Sequence, residues 1–349
     1  MDNNYDIFKY LDPLDNTKLS DFKRYDLEDL IMYINKYYLE YRNYLYTSNR
    51  ASIGCEIEYE LKRKGKSTPD KTLCPVKNED FEIKPGWVLR EDGSLKNGGE
   101  IVSPIFYNNK LSWKDFHETF DLFTSNQVIK DTCSAHVHIG ANTLGNKAKN
   151  WNNFLRLWMV YEDIIYRFCN GEYLNSRTAI STYSIPIREK LRVYFKDIEY
   201  EYGKYYNENK ILPMKEYIFK KLLTKTRYNA INFMNISDLN SFAEYNTIEF
   251  RPANGTLNPI IWQNLINLYL SIIIYSKSNM YDLDIVNARS RKIDYDYCDY
   301  NEINLDEAIE FCDLVFKKNI DKIYFLRQYL KDNEVSNHEG LVKAKKFTI

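Results

Sequence analysis

The sequence has few of the residues that most directly assign a protein to a class. Its 349 residues include four histidines and six cysteines, and no two cysteines are spaced as Cys-x-x-Cys. That spacing is typical of zinc knuckles, and small disulfide-bonded domains carry dense cysteine pairs. We therefore expect neither kind of site, and we expect reduced cysteines.

The chain also lacks an excess of charge of either sign. It contains 48 Lys and Arg residues against 49 Asp and Glu residues. Proteins that bind nucleic acid or acidic membrane surfaces usually carry a clear basic excess. We therefore expect neither partner, and any function based on charge must come from a local cluster.

Long apolar runs are missing as well. The first residues show neither the basic region nor the apolar run of a signal peptide. The most apolar segment, residues 260–275, contains Gln263, Asn264 and Asn267 and is shorter than the roughly 20 residues that span a bilayer. It predicts a buried helix. We expect a cytoplasmic protein, and its 44% hydrophobic content is enough for a sizeable core.

Several segments do alternate apolar and polar residues, which places their polar side chains on one face of a strand. The first is residues 53–61, where Glu56, Glu58 and Glu60 alternate with apolar residues. A charged strand face usually lies in water. Glutamate is a poor strand former, however, so three of them in alternation need an explanation.

A second alternating segment, residues 134–140, carries His136 and His138 opposite Val137 and Ile139. This His-x-His pattern fits a hydrogen-bonded pair, a metal site or a phosphate site. Two further segments have the same construction. They contribute Glu100 from residues 98–104, and Thr247, Glu249 and Arg251 from residues 246–252.

Together these strands predict one sheet face that collects four carboxylates, two histidines and an arginine. Crowded carboxylates repel one another, so cations are needed to keep them ionised. Carboxylates with one or two imidazoles suit Mg²⁺ or Mn²⁺ better than zinc. An arginine beside them suits an anion such as a metal-bound nucleoside triphosphate.

The remaining patterns predict helices around this sheet, which makes the fold class α+β. Helical spacing occurs over residues 27–41, 115–123, 151–168, 259–276, 305–315 and 320–330. We expect loops over residues 62–85 and 170–215, and we expect Glu162 and Arg167 at the margins of their helix. The predicted division is a helical extension over 1–50, a catalytic domain over 51–276 and a second helical extension over 277–349.

The order of short motifs between residues 50 and 275 resembles the amidoligase family of carboxylate-amine ligases, which have a glutamine synthetase-like core. The motifs are Gly54-x-Glu-x-Glu58, Glu91-Asp-x-Ser94, Gly99-Glu-Ile-Val-Ser-Pro104, His136-Val-His138-Ile-Gly140, Arg227 with Asn232, and Thr247-Ile-Glu-Phe-Arg251. The resemblance implies a largely antiparallel, curved sheet with one charged active-site face and helices on the other.

The resemblance also implies a role for each residue of that face. Glu58 and Glu100 would bind one metal ion, and Glu56, His136 and Glu249 would bind the ion that bridges the ATP phosphates. His138 would contact phosphate or support the metal site. Arg251 would stabilise the transferring phosphoryl group, and Arg227 would bind phosphate or an acyl phosphate.

The implied reaction is the ATP-dependent joining of a carboxylate and an amine through an acyl phosphate, with Mg²⁺ or Mn²⁺ bound. The substrates are expected to resemble peptides or amino acids. Residues that would bind ammonium have no match here, so the sequence does not identify the amine substrate. It also does not identify the base that deprotonates the amine, for which the candidates are Glu60, Asp92 and a residue of 170–215.

Three other interpretations compete with this one. A cupin needs a glutamate soon after His138, and residues 139–147 contain none. An amidohydrolase barrel needs further histidines, and the two that remain, His117 and His338, are not at clear strand ends. The third alternative is a non-catalytic protein that binds nucleotide or peptide on a ligase-like fold.

Overall fold

A single antiparallel sheet with helices packed on one face forms the described part of the chain, which confirms the α+β class. The computed structural model describes residues 7–61, 84–95, 98–123, 127–130, 132–145, 147–170, 183–202, 226–236, 246–293 and 303–330. The predicted loop over 62–85 lies almost entirely outside these ranges, as does much of the predicted loop over 170–215.

The sheet is centred on the two strands that carry the alternating glutamates and histidines. Its described strands are β1 (Ile53–Leu61), β2 (Val88–Arg90), β3 (Gly98–Val102), β4 (Gln127–Val128), β5 (Ser134–Gly140), β6 (Ile231–Asn232) and β7 (Thr247–Asn254). They are ordered β2-β3-β1-β5-β7-β6, and β4 pairs with the end of β1. Every named pair is antiparallel.

The described helices are α1 (Arg24–Asn35), α2 (Lys110–Phe120), α3 (Ala148–Asn170), α4 (Arg188–Tyr202), α5 (Pro259–Ser276), α6 (Leu283–Ser290), α7 (Leu305–Val315) and α8 (Asn319–Tyr329). The bounds of α5 and α7 are those predicted. Asn258 caps α5 by accepting a hydrogen bond from the Ile260 N–H, and Pro259 begins the helix without needing a donor. No described helix is both long and apolar enough to cross a bilayer.

The apolar face of the sheet packs on α3 and α5. The Phe250 ring of β7 stacks on Tyr269 of α5 with 4.2 Å between ring centroids, and it lies 5.8 Å from the Trp158 ring of α3. Val137 and Ile57 are fully buried on the same face. Because apolar side chains occupy this face, the alternating polar side chains all lie on the other.

A bulge in β7 preserves this division along the whole strand. Ala135 pairs with Ala253 and Val137 pairs with Phe250, so β7 has one more residue than β5 between these pairs. The extra residue falls at Arg251-Pro252, where a proline is tolerated because pairing is interrupted. Ala253 therefore returns to the apolar face while Arg251 stays on the polar one.

The N-terminal and C-terminal segments pack against each other. Lys322 of α8 is fully buried, and its ammonium donates to Asp313 at 2.7 Å and to the Thr17 carbonyl at 2.6 Å. Asp313 also accepts from the Leu19 N–H. The two predicted helical extensions therefore share buried polar contacts.

Several predicted boundaries are wrong, for identifiable reasons. Helix α1 ends at Asn35, although the apolar spacing continued to Tyr41, because Tyr37 packs on Tyr324 from beyond the helix end. Helix α2 begins at Lys110, where the Asn109 side chain caps it.

Three other differences come from tertiary packing. Helix α4 occupies part of the predicted loop, and its buried Leu191, Tyr194 and Phe195 have helical spacing that the tyrosine-rich composition obscured. Helix α6 lies in the predicted linker. Glu162 and Arg167 are fully buried rather than marginal.

Candidate active site

The polar side of the sheet opens on a cavity of about 480 Å³. We call the side chains that the sheet presents there the charged face: Glu56, Glu58, Glu100, His136, His138, Glu249 and Arg251. All of them except His138 line the cavity. The cavity wall also includes Arg90, Glu91, Asp92, Gly93, Ser94, Thr132, Ser134, Tyr183, Arg227, Tyr228, Asn232 and Asn235.

Strand register brings the charged face together. Glu56 pairs with His136, and Glu58 pairs with Glu100. Glu249 pairs with His138 on one side. Residues directly opposite in an antiparallel pair have neighbouring side chains on the same face, so the predicted grouping follows from three strand pairings.

His136 lies at the centre of the charged face, between three carboxylates. Its Nδ1 is 3.0 Å from Glu56 Oε2 and 3.8 Å from Glu249 Oε1. Its Nε2 is 2.8 Å from Ser134 Oγ and 3.7 Å from Glu58 Oε1. The imidazole therefore separates the Glu58 side of the cavity from the Glu56 side.

His138 lies on the other side of Glu56. Its Nε2 is 3.2 Å from Glu56 Oε1, and its Nδ1 is 3.2 Å from Thr247 Oγ1. The Nε2 atom is buried, and although burial lowers the pKa of His138, its contact with Glu56 outweighs burial and raises it. The ligand atoms that Glu56, His138 and Glu249 can offer lie within 4.8 Å of one another, which is close enough for all three to share one cation.

Glu249 and Arg251 form a fixed pair on β7. The Arg251 guanidinium donates to Glu249 through Nη1, and its Nε donates to the Tyr183 carbonyl at 3.3 Å. Asn232 of β6 donates to Glu249 at 2.6 Å. Both carboxylate oxygens of Glu249 therefore accept hydrogen bonds, which fixes the side chain beside the histidines.

The environment of this site shifts the pKa values of its carboxylates in opposite directions. Burial works to raise the pKa of Glu56, but hydrogen bonds and attraction from His136 and His138 outweigh it and hold the pKa well below its usual range. Burial is also outweighed at Glu249, where the two histidines and Arg251 lower the pKa. Both groups are therefore ionised at neutral pH.

Glu100 behaves in the opposite way. Burial, followed by repulsion from Glu56, Asp92 and Glu58, raises the pKa of Glu100 to about 8, against a weaker effect of Arg90. The carboxyl of Glu100 is therefore largely protonated at neutral pH when no cation is nearby. Its partner Glu58 is buried and accepts a hydrogen bond of 2.6 Å from the Ser134 N–H.

Two candidates for the base differ in their availability. Glu60 is 1% exposed, and its two carboxylate oxygens are bonded to Lys130 and Thr132. Asp92 lines the cavity and accepts from the N–H and hydroxyl of Ser94 in a tight turn, both at 2.6 Å. That turn leaves its second carboxylate oxygen for another contact.

Some residues of the site were missed from the sequence. Ser134 shares the face of the histidines by the same two-residue period, so its place was available from the pattern. Tyr183 and Tyr228 line the cavity with their rings 5.2 Å apart in an edge-to-face arrangement. Nothing distinguished these two from the 31 tyrosines of the chain.

Comparison with known proteins agrees with this geometry. The family model described as "Putative amidoligase enzyme" matches residues 58–273, which include most of the sheet and the cavity. A search of curated proteins finds no match. The family description supports a ligase activity, and because the match covers more than half of the sequence, the chain belongs to this amidoligase family.

Proposed function

We propose that this protein is an ATP-dependent carboxylate-amine ligase that forms an amide bond through an acyl phosphate, on a glutamine synthetase-like core. The observation that carries the proposal is the composition of one cavity. Six carboxylates line it together with three arginines. An amide ligase needs both kinds of charge, because it must hold cations and an anionic phosphate at the same point.

The donor set of the cavity suits divalent cations. Glu56 and Glu249 with an imidazole would hold one ion, and Glu58 with Glu100 would hold a second. Mg²⁺ or Mn²⁺ bound there would neutralise the ATP phosphates and polarise their oxygens. The raised pKa of Glu100 supports this assignment, since a carboxyl that burial and repulsion keep protonated is ionised when a cation approaches.

The arginines would act on the phosphate itself. A carboxylate oxygen of the substrate attacks the terminal phosphorus of ATP, and the bond from that phosphorus to ADP breaks. Arg251, held in place by Glu249 and the Tyr183 carbonyl, would stabilise the charge on the transferring group. Arg227 is exposed at the cavity rim and would bind the same phosphate from the solvent side.

The second half of the reaction would take place beside the part of the cavity wall that carries Glu91 and Asp92. The amine nitrogen attacks the acyl carbon, phosphate leaves, and a base takes the proton from nitrogen. Glu91 and Asp92 line this wall, and they would attract a protonated amine before it reacts. Asp92 is the better base candidate, because Glu60 is already bonded to Lys130 and Thr132.

A trapping experiment tests the proposal without knowing the natural amine. The protein is incubated with ATP, Mg²⁺ or Mn²⁺, hydroxylamine and a panel of amino acids and short peptides, and hydroxamate and ADP are measured. We expect both products in equal amounts for at least one carboxylate, and none with Glu249→Gln. ADP release without any hydroxamate would contradict acyl-phosphate chemistry. Binding of a peptide that needs neither ATP nor metal would favour the non-catalytic alternative.

A further inference from the structure

We infer that His138 is a direct ligand of the cation held by Glu56 and Glu249, and that this nitrogen makes the centre prefer Mn²⁺ over Mg²⁺. The inference deepens the proposed function, since it assumes that the charged face is a cation centre. It differs from the role that the resemblance implied for His138, which was to contact phosphate or to support the metal site without binding the ion.

The position of His138 argues against contact with a phosphate. His138 does not line the cavity, whereas His136, Glu56 and Glu249 do. Its side chain is 14% exposed, and its Nε2 atom is buried behind Glu56. A phosphate group in the cavity would meet the carboxylate of Glu56 first, and two anionic groups repel each other.

The orientation of the ring is that of a metal-ligating histidine. Such a histidine usually donates one ring N–H to a nearby oxygen, which leaves the lone pair of the other nitrogen for the metal. In His138 the Nδ1 lies 3.2 Å from Thr247 Oγ1, and Nε2 lies 3.2 Å from Glu56 Oε1, where a bound cation would take the place of the shared proton. The nitrogen that is not directed at Thr247 is therefore the one that faces the carboxylates.

Glu56 has a histidine on each side. Its Oε2 contacts His136 Nδ1 at 3.0 Å, and its Oε1 is 3.2 Å from His138 Nε2. With Glu249, His138 and Glu56 thus offer one imidazole and two carboxylates within 4.8 Å of one another, and His136 Nδ1 lies 3.8 Å from Glu249. Mg²⁺ prefers oxygen ligands and keeps its water, while transition metals such as Mn²⁺ accept imidazole. The His138 nitrogen should therefore shift the preference of the centre toward Mn²⁺.

The test is Mn²⁺ and Mg²⁺ affinity measured by calorimetry, without ATP or substrates. We expect His138→Ala to weaken Mn²⁺ binding at least about ten-fold and Mg²⁺ binding much less, so that the ratio of the two affinities falls. The matched control is His117→Ala, which changes a half-exposed histidine on α2 outside the cavity. His138→Gln repeats the test with a side chain that can still bond to Thr247.

Unchanged Mn²⁺ affinity in both His138 variants would overturn the inference, as would a fall in Mn²⁺ affinity with an unchanged ratio. Thermal melting of each variant shows whether it is folded, and a variant that melts early is replaced by the other. If Mn²⁺ binds through His138 and no amide forms, only the ligase proposal fails. If amides form and His138 changes neither affinity nor ratio, only this inference fails.

Discussion

The charged face and the helices behind the sheet both bury carboxylates, yet they satisfy them differently. Among the helices, each buried carboxylate has donors of its own. Glu162 accepts from the Trp158 indole and from the N–H groups of Ile187 and Arg188. Asp321 accepts from Arg42 at 2.6 Å and from Asn267 at 3.0 Å. These carboxylates hold the helices in one arrangement, and their hydrogen bonds to protein donors leave them no need of a bound cation.

On the charged face, by contrast, carboxylates outnumber the bases that could match them. Within the described ranges the structure gives Glu100 no hydrogen-bond donor, and burial together with repulsion from neighbouring carboxylates raises its pKa to about 8. An excess of carboxylates over bases lowers the stability of the folded protein. Proteins keep such an excess where it serves a function. Both groups include buried carboxylates. In this protein the number of hydrogen-bond donors and cationic groups around each carboxylate, rather than its burial, separates functional carboxylates from structural ones.

The largest effect is expected at Arg251. Arg251→Lys keeps the charge but loses the planar fork that reaches both Glu249 and the Tyr183 carbonyl. We expect hydroxamate formation to fall about 100-fold or more, measured as kcat with saturating ATP. Arg24→Lys, on the exposed surface of α1, is the control and should keep full activity. A loss smaller than about five-fold would remove Arg251 from the reaction.

The second largest effect is expected at Glu162, where a substitution should lower the free energy of unfolding. Glu162→Gln keeps the shape of the side chain, but it replaces one acceptor oxygen by a donor, which then faces either the Arg188 N–H or the Ile187 N–H and the Trp158 indole. An unsatisfied buried donor costs about 1–3 kcal/mol, and urea unfolding should show that loss with or without Mn²⁺.

Glu118→Gln, on the half-exposed side of α2 where Lys84 and Lys114 are its ion-pair partners, is the comparison. An unchanged midpoint would mean that Glu162 does not hold the start of α4.

Glu100→Gln should raise the stability of the folded protein, whereas Glu162→Gln lowers it. The folded pKa of Glu100, about 8, lies above its unfolded value of about 4.3, so the folded state binds the extra proton between these values. Stability therefore falls as pH rises from about 4 to 8. At pH 9 without metal, the variant should be more stable than the unmodified protein by on the order of 1–2 kcal/mol after solvent screening.

The check on Glu100 is urea unfolding at two pH values. Near pH 3, about one unit below the unfolded pKa, the two proteins should have nearly equal stability, because Glu100 is protonated in both the folded and the unfolded state there. A destabilised variant at pH 9 would mean that Glu100 has a donor that the structure does not show.

The smallest effect is expected for an exposed ion pair. Arg24 and Glu28 are one helical turn apart on α1, with side chains 92% and 63% exposed. Pairs of this kind contribute little because water and salt screen them. Glu28→Gln should change neither the unfolding midpoint nor Mn²⁺ affinity, and a clear shift in either would undermine the distinction drawn between buried and exposed charge.

Much of the charged face was predictable because a strand has a simple period. Once Glu56, Glu58, His136 and Glu249 were placed on strands, their common face followed from side-chain alternation. The helix Pro259–Ser276 was equally clear, because it contains the most apolar run of the sequence, and the structure shows Asn258 and Pro259 at its start. Local rules decided both features.

Other features depended on contacts between distant residues. The burial of Glu162 follows from the N–H groups of Ile187 and Arg188, which lie 25 and 26 positions away. The bulge at Arg251-Pro252 is visible only when β5 is placed beside β7. The place of His138 behind Glu56 likewise depends on register, so a two-residue spacing could not separate its role from that of His136.

The most direct test of the central claim is ATP affinity as a function of metal and of Glu249. Calorimetry would compare ATP binding with Mg²⁺, with Mn²⁺ and with EDTA, for the unmodified protein and for Glu249→Gln. We expect tight binding only with a divalent cation, and a loss of at least about ten-fold in the variant. ATP that binds equally well with EDTA, or equally well to Glu249→Gln, would contradict the claim that the charged face is a metal-dependent nucleotide site.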